Sequence, residues 1–245
     1  MTDALRSFRL MFRWQYFVLR QELVLLTVIQ AALALGIVYG LAFLIPNIDG
    51  RTAAYLATGA PTITLLIAGL QSAPAEISRD KLSGRHAYIA ALPVPRLALP
   101  AARLAFSLVL QLPGAALAIV VAALRFNFAL DVSIVVIPAL VLIAISAAAV
   151  GYAMGEVMRP EVAMQAGSFL AILILLFSPL NFPMERLPEA LQAVHLVLPI
   201  KYMGDLVRWS LTGQFAENIA LAFGVVTLWC ALGVSVCWRA ALRRP

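Results

Sequence analysis

Leu23–Ile45 reads LVLLTVIQAALALGIVYGLAFLI, an unbroken run without a charged side chain. At 1.5 Å per residue, a helix of that length covers the roughly 30 Å hydrocarbon core of a bilayer. No small-residue cleavage site follows it, so it is expected to be retained as a span. Five more runs of similar character follow: about Thr52–Ala75, Leu97–Leu124, Val132–Gly155, Val162–Leu180 and Asn218–Trp238. Charged residues make up 12% of the chain and hydrophobic ones 63%, with mean hydropathy +0.95. A soluble domain carries about 25% charge. The bilayer is therefore the expected solvent. Six spans use roughly half of the chain, and the expectation is one all-α polytopic domain over residues 1–245.

Upstream of the first span, Arg6, Arg9, Arg13 and Arg20 fall within a ~60° arc at 100° per residue, and Phe8, Met11, Trp14 and Val18 lie on the other side. Residues 1–20 are expected to form an interfacial amphipathic helix, with cations over headgroups and aromatics at the acyl boundary. Short turns are expected at Pro46–Gly50, Arg125–Asp131 and Glu156–Glu161. A charged loop runs from Glu76 to Arg96, and Arg103 near the start of span 3 is expected to snorkel. Six spans put both termini on one side. That side collects thirteen Lys and Arg against five opposite, which predicts cytoplasmic termini. The net charge of +6 follows this loop pattern, with no nucleic-acid motif, so no nucleic-acid partner is expected. Gly36 and Gly40, and Gly151 and Gly155, have helix-packing spacing, for contacts within the bundle or between copies.

Chemistry is sparse. The central polar residues are neutral: Gln30, Thr62, Thr64, Gln111, Ser146, Gln165 and Ser168. They hydrogen-bond neighbouring helices or line a path. No catalytic residues are expected, and Cys230, Cys237, His86 and His195 make no metal-ligand pattern. No GxxxxGK[ST] phosphate-binding loop is present, and the two lysines, Lys81 and Lys201, lack that context. The chain is not expected to hydrolyse ATP by that route.

Two segments are similar to the ABC-2 type transporter permease family, a type V, ABCG-like class of exporter membrane subunits. The first is Glu76-Ile77-Ser78-Arg79-Asp80-Lys81-Leu82-Ser83-Gly84-Arg85, with Pro93 nine residues beyond Gly84. There the family usually has Thr after the glycine, where this chain has Arg85. The second runs from Phe177 through Phe182-Pro183, Leu187-Pro188 and Leu191-Gln192 to Pro199-Ile200-Lys201-Tyr202, Leu206-Val207-Arg208 and Gly213. Pro188 and Pro199 each suit the first turn of a short helix. Leu187, Leu191 and Val194 would give one apolar stripe, and Met203, Val207 and Leu211 another.

The resemblance implies the six-span ABC-2 fold, with residues 181–217 as an extracellular segment of two re-entrant helices and 76–96 as a cytoplasmic coupling loop. It implies a permease subunit in the bacterial plasma (inner) membrane, working with two copies of a separate ATPase and a second permease, identical or paralogous. ATP and Mg would stay on the partner. Coupling would fall on Glu76, Arg79, Asp80, Lys81, Gly84, Arg85, Pro93, Glu156 and Arg159. The cargo cavity would be lined by Thr58, Thr62 and Gln71 of span 2 and by Met164, Gln165, Phe169 and Phe177 of span 5. Pro183, Leu187, Pro188, Pro199 and Tyr202 would form the outer gate. An amphipathic small molecule, drug, natural product or lipid is the expected cargo, with a polysaccharide or lipid-linked glycan as alternative. A membrane-embedded enzyme or an ATP-independent channel are the competing classes.

Overall fold

The computed structural model describes residues 2–44, 50–126, 131–213 and 218–242. Pro46–Asp49 of the first expected turn, 127–130 of the second, 214–217 of the outer segment, and Arg243 and Arg244 of the tail lie outside them. Ten α-helices and no strands make up the described residues. Six helical stretches are long and apolar enough to cross a membrane: Ala4–Gly40, Thr52–Leu82, Ala98–Phe126, Val136–Val157, Pro160–Phe177 and Ile219–Leu242.

The N-terminal helix and the first span are one element, which corrects the expected division near residue 20. Helix α1 runs Thr2–Leu35 without interruption, continues as a π-helical turn over Gly36–Gly40, and ends in α2, Leu41–Leu44. No glycine or proline occurs before Gly36, so nothing breaks the hydrogen-bond ladder. The arginines of the first turns are exposed as expected. The apolar side is covered by protein rather than by acyl chains. Met11 packs with Ile89, Leu99 and Ala102, and Leu19 with Phe106 and Leu110. Phe12 meets Phe106 edge-on at 5.5 Å.

Helix α3, Gly50–Leu82, is the hub of the bundle, and most of its residues are buried. It carries Pro61 and Pro74 in its interior. It packs against α5 (Ala98–Phe126), α6 (Val136–Val157), α7 (Pro160–Phe177) and α9 (Pro199–Thr212). The charged segment after span 2 is not a separate element, because α3 continues through Glu76–Leu82. It stops where Gly84 takes a left-handed φ of 73°, a conformation without penalty only for glycine. The short helix α4, Arg85–Ala90, then leads to α5.

The two glycine pairs behave differently. A Cβ on Gly151 would lie 2.5 Å from the Gly69 carbonyl oxygen, and one on Gly155 would lie 2.9 Å from Ile77 Cβ. This pair lets α6 close onto α3 around Pro74. A Cβ on Gly36 or Gly40 would meet nothing within 4 Å.

At the opposite end, Pro188 caps α8 (Glu189–Val197) and Pro199 opens α9, as the sequence predicts. Gly213, at φ 66°, closes α9. Met203, Val207 and Leu211 are buried, as expected. The stripe on α8 is shifted: Leu187 and His195 are buried, while Val194 is 48% exposed. Helix α10, Ile219–Leu242, packs on α6 and α9 and completes the bundle.

Candidate functional site

The spans alternate in direction, so the end of α3, α4, the start of α5 and the end of α6 share one end of the bundle. There Arg103 of α5 is 2% exposed. Its Nε lies 3.1 Å from Glu76 Oε1, its Nη2 pairs with Asp80 Oδ2, and its Nη1 is 3.9 Å from Glu156 Oε1. Tyr152 of α6 donates its hydroxyl to Glu76 Oε2 at 3.0 Å, and Gln15 of α1 donates to Glu76 Oε1. Arg85 of α4 reaches Asp80 Oδ1 at 3.1 Å. One web of charge-assisted bonds therefore ties α1, α3, α4, α5 and α6 together.

Two expectations change here. Arg103 does not snorkel; three carboxylates from two helices surround it. Glu76 and Asp80 are turned inward, at 8% and 2% exposure, and are not part of an exposed charged helix. The cause is register. Positions 76 and 80 lie one turn apart on the face of α3 that meets α1 and α5. Arg79 is exposed at the edge of that face and pairs with Glu22 of α1 at 2.9 Å.

Lys81 donates from Nζ to the carbonyl oxygens of Gly155 at 2.6 Å, Glu156 at 2.8 Å and Met158 at 3.3 Å. A cation on the last carbonyls of a helix satisfies orphan acceptors and the negative dipole end. His86 Nε2 lies 3.7 Å from Glu156 Oε2, which holds α4 against the same end of α6. Around this web, Leu82, Tyr88 and Val157 stand 62%, 67% and 74% exposed. Pro93 and Arg159 are exposed beside them, and Gly84 lies at the turn into α4.

The residues expected to line a cargo cavity are not brought together within one chain. Thr58 and Thr62 are fully buried inside the bundle. Thr58 donates to the Ala54 carbonyl at 2.6 Å and accepts from Arg208 Nε at 3.2 Å. Gln71, Gln165, Phe169 and Phe177 are exposed, and Met164 is half-buried. Helix α7 buries Ala163, Gly167, Ala171 and Ile174 against the bundle and leaves Val162, Gln165, Phe169, Ile172 and Leu176 along an open face.

Arg208 organises the other end, a role that the pattern Leu206-Val207-Arg208 does not disclose. It is 1% exposed. It donates to the Leu180 carbonyl at 3.2 Å and to Asp205 at 2.9 Å, and stacks 4.0 Å over Tyr55. Burial lowers the pKa of its guanidinium, against the opposing pull of Asp205 and Tyr55, yet arginine remains a cation. Of the expected gate, Leu187 is buried, Pro183 and Pro199 are half-buried, and Pro188 is exposed. The Tyr202 hydroxyl donates to the Leu196 carbonyl at 2.9 Å, joining α9 to α8. Among the described residues no group of His, Cys, Asp or Glu could hold a metal ion.

The fold and its two polar ends define a six-span helical membrane protein. The family model for the ABC-2 type transporter matches residues 6–212, from the first turns of α1 to the end of α9. The chain belongs to the ABC-2 type transporter family, and it is a transmembrane component of such a transporter. None of the curated proteins compared matches the sequence.

Proposed function

We propose that this chain is the permease subunit of an ATP-driven exporter. Two permeases stand with two copies of a separate ATPase, which carries the ATP and Mg. The cargo is an amphipathic small molecule, drug, natural product or lipid. The thirteen-to-five distribution of Lys and Arg supports a plasma-membrane orientation with both termini in the cytoplasm.

The observation that carries the ATPase partner is the apolar patch of Leu82, Tyr88 and Val157. Leu82 ends α3, Val157 ends α6 and Tyr88 lies in α4; Lys81 of α3 bonds the end of α6, and His86 of α4 lies 3.7 Å from Glu156 there. Large apolar groups beside charges, at the ends of spans and on the short helix after one, fit a protein interface better than they fit water. The docking surface is then the outside of the web, at Leu82, Gly84, Tyr88, Pro93 and Arg159. The buried carboxylates lie behind it and stiffen the end, so a push on α4 is passed to α1, α3, α5 and α6 together.

The test is a double variant, Leu82→Ser with Tyr88→Ser, co-expressed with the ATPase from an adjoining reading frame. Both side chains are exposed, so the permease should fold normally. Retention of the ATPase on purification should fall about tenfold or more, as for loss of interface anchors. Undiminished retention together with undiminished coupled export would remove α4 from the interface.

A further inference from the structure

We infer that each chain holds its own binding site for a neutral, single-chain amphiphile, built from the residues of one protomer. A cavity of about 420 Å³ lies among α3, α6, α7, α8, α9 and α10, a volume in the range of small-molecule sites. Leu170 and Leu173 of α7 form one wall, Trp229 of α10 another, and Ile200 and Met203 of α9 the roof. The lining is almost wholly apolar, which excludes a sugar polymer or an ion as occupant and suits a hydrocarbon body.

A second observation sets the polar end of the ligand. Ser146 of α6 lines the cavity, is 5% exposed, and its hydroxyl has no hydrogen-bond partner. Buried hydroxyls are ordinarily paired, because an unpaired one forfeits its hydration for nothing. In this structure the oxygen is covered; turning the side chain about its Cα–Cβ bond would present it to the cavity, where a ligand oxygen would complete it. The wall carries no Asp, Glu, Lys or Arg, and its one imidazole, His195, is held through Nδ1 to the Leu191 carbonyl, so the match is an alcohol, ketone or ester on an aliphatic chain. The site is defined by binding and stands whether or not its occupant is the exported cargo.

Decanol carrying a chain diazirine is the probe, applied to the purified permease and mapped by peptide mass spectrometry after irradiation. Labelling should saturate, yield to unlabelled decanol, and concentrate on Leu170, Leu173, Ile200, Met203 and Trp229. Leu173→Trp, which fills the cavity, should reduce saturable labelling about tenfold or more, with an unchanged gel-filtration profile. Ser146→Ala should weaken decanol competition about fivefold, one hydrogen bond's worth, while leaving a diazirine-bearing decane unaffected. Labelling spread evenly over the lipid-facing sides of all spans would overturn the proposal. So would saturable labelling that survives Leu173→Trp, or adducts joining the cavity to a second permease copy. None of these readouts uses ATP or transport, so their failure leaves the exporter reading intact, and a failed export assay leaves the site intact.

Discussion

Arg103 concentrates the energetic risk of this molecule in one side chain. Removing it leaves Glu76 buried with only the Gln15 and Tyr152 hydrogen bonds and Asp80 with Arg85 alone, and breaking a buried pair costs about 3–5 kcal/mol. Arg103→Met alone is expected to aggregate or to lose its monodisperse gel-filtration peak on mild heating. The triple variant Glu76→Gln, Asp80→Asn, Arg103→Met removes all three charges at similar volume and should regain most of the lost thermal stability. If the single and triple variants melt together, the web contributes no pairing energy. Charge reversal of Glu76 and Asp80 would report on folding for the same reason, not on docking. The sequence displays these charges but hides their partners. Arg103 lies 23 residues from Asp80, and Tyr152 lies 76 from Glu76. Loop-like charge clusters and snorkelling are what local spacing implies; only the antiparallel return of spans 3 and 4 reveals that the charges face one another. The role of Arg208 is hidden for the same reason: Asp205 is a local partner, but Thr58 and Leu180 lie 150 and 28 residues away.

Helices α3 and α6 show what could be read at the scale of elements. Proline at the openings of α8 and α9 and glycine at the ends of α3 and α9 locate those boundaries from sequence, because each residue acts through its own backbone. Helix-packing glycines cannot be sorted that way, since their meaning depends on the neighbour. Gly151→Ala would drive a methyl group into the Gly69 carbonyl, Ala73 and Pro74. All belong to the tightly held hub helix, so the neighbours cannot yield cheaply. A loss of about 1–3 kcal/mol is expected, as for overpacking in a filled core. Gly36→Ala and Gly40→Ala should be neutral or slightly stabilising, because their surroundings are open. Thermal midpoints in detergent check both. Equal losses at all three positions would mean that α1 packs on something at Gly36 and Gly40, a second copy being the first candidate. The continuity of α1 was legible in principle from the absence of any breaker before Gly36; composition alone invited a division where the charges stop.

Two measurements bear on the whole molecule. Glu189 is exposed at the end opposite the ionic web, and the native cysteines Cys230 and Cys237 are buried. Glu189→Cys should react with a membrane-impermeant maleimide in intact cells; reaction only after permeabilisation would invert the topology. The second concerns pairing of permeases. Helix α7 leaves Gln165 and Ser168 exposed among Phe169, Ile172 and Leu176. A side-chain amide facing hydrocarbon without a partner is unfavourable, so this face is expected to meet another permease across a two-fold axis. In such an interface a residue near the axis lies close to itself in the other copy. Ile172→Cys, 53% exposed in the chain alone, should therefore form a disulfide-linked dimer under mild oxidation. Leu228→Cys on α10, 59% exposed, serves as the control and should stay monomeric, since it lies on a different helix, one that packs on α6 and α9. Cross-linking of both variants would reflect random collision in the bilayer. Cross-linking of neither, with α7 reacting freely with a lipid-soluble maleimide, would make that face lipid-exposed and move the contact between permeases to another span.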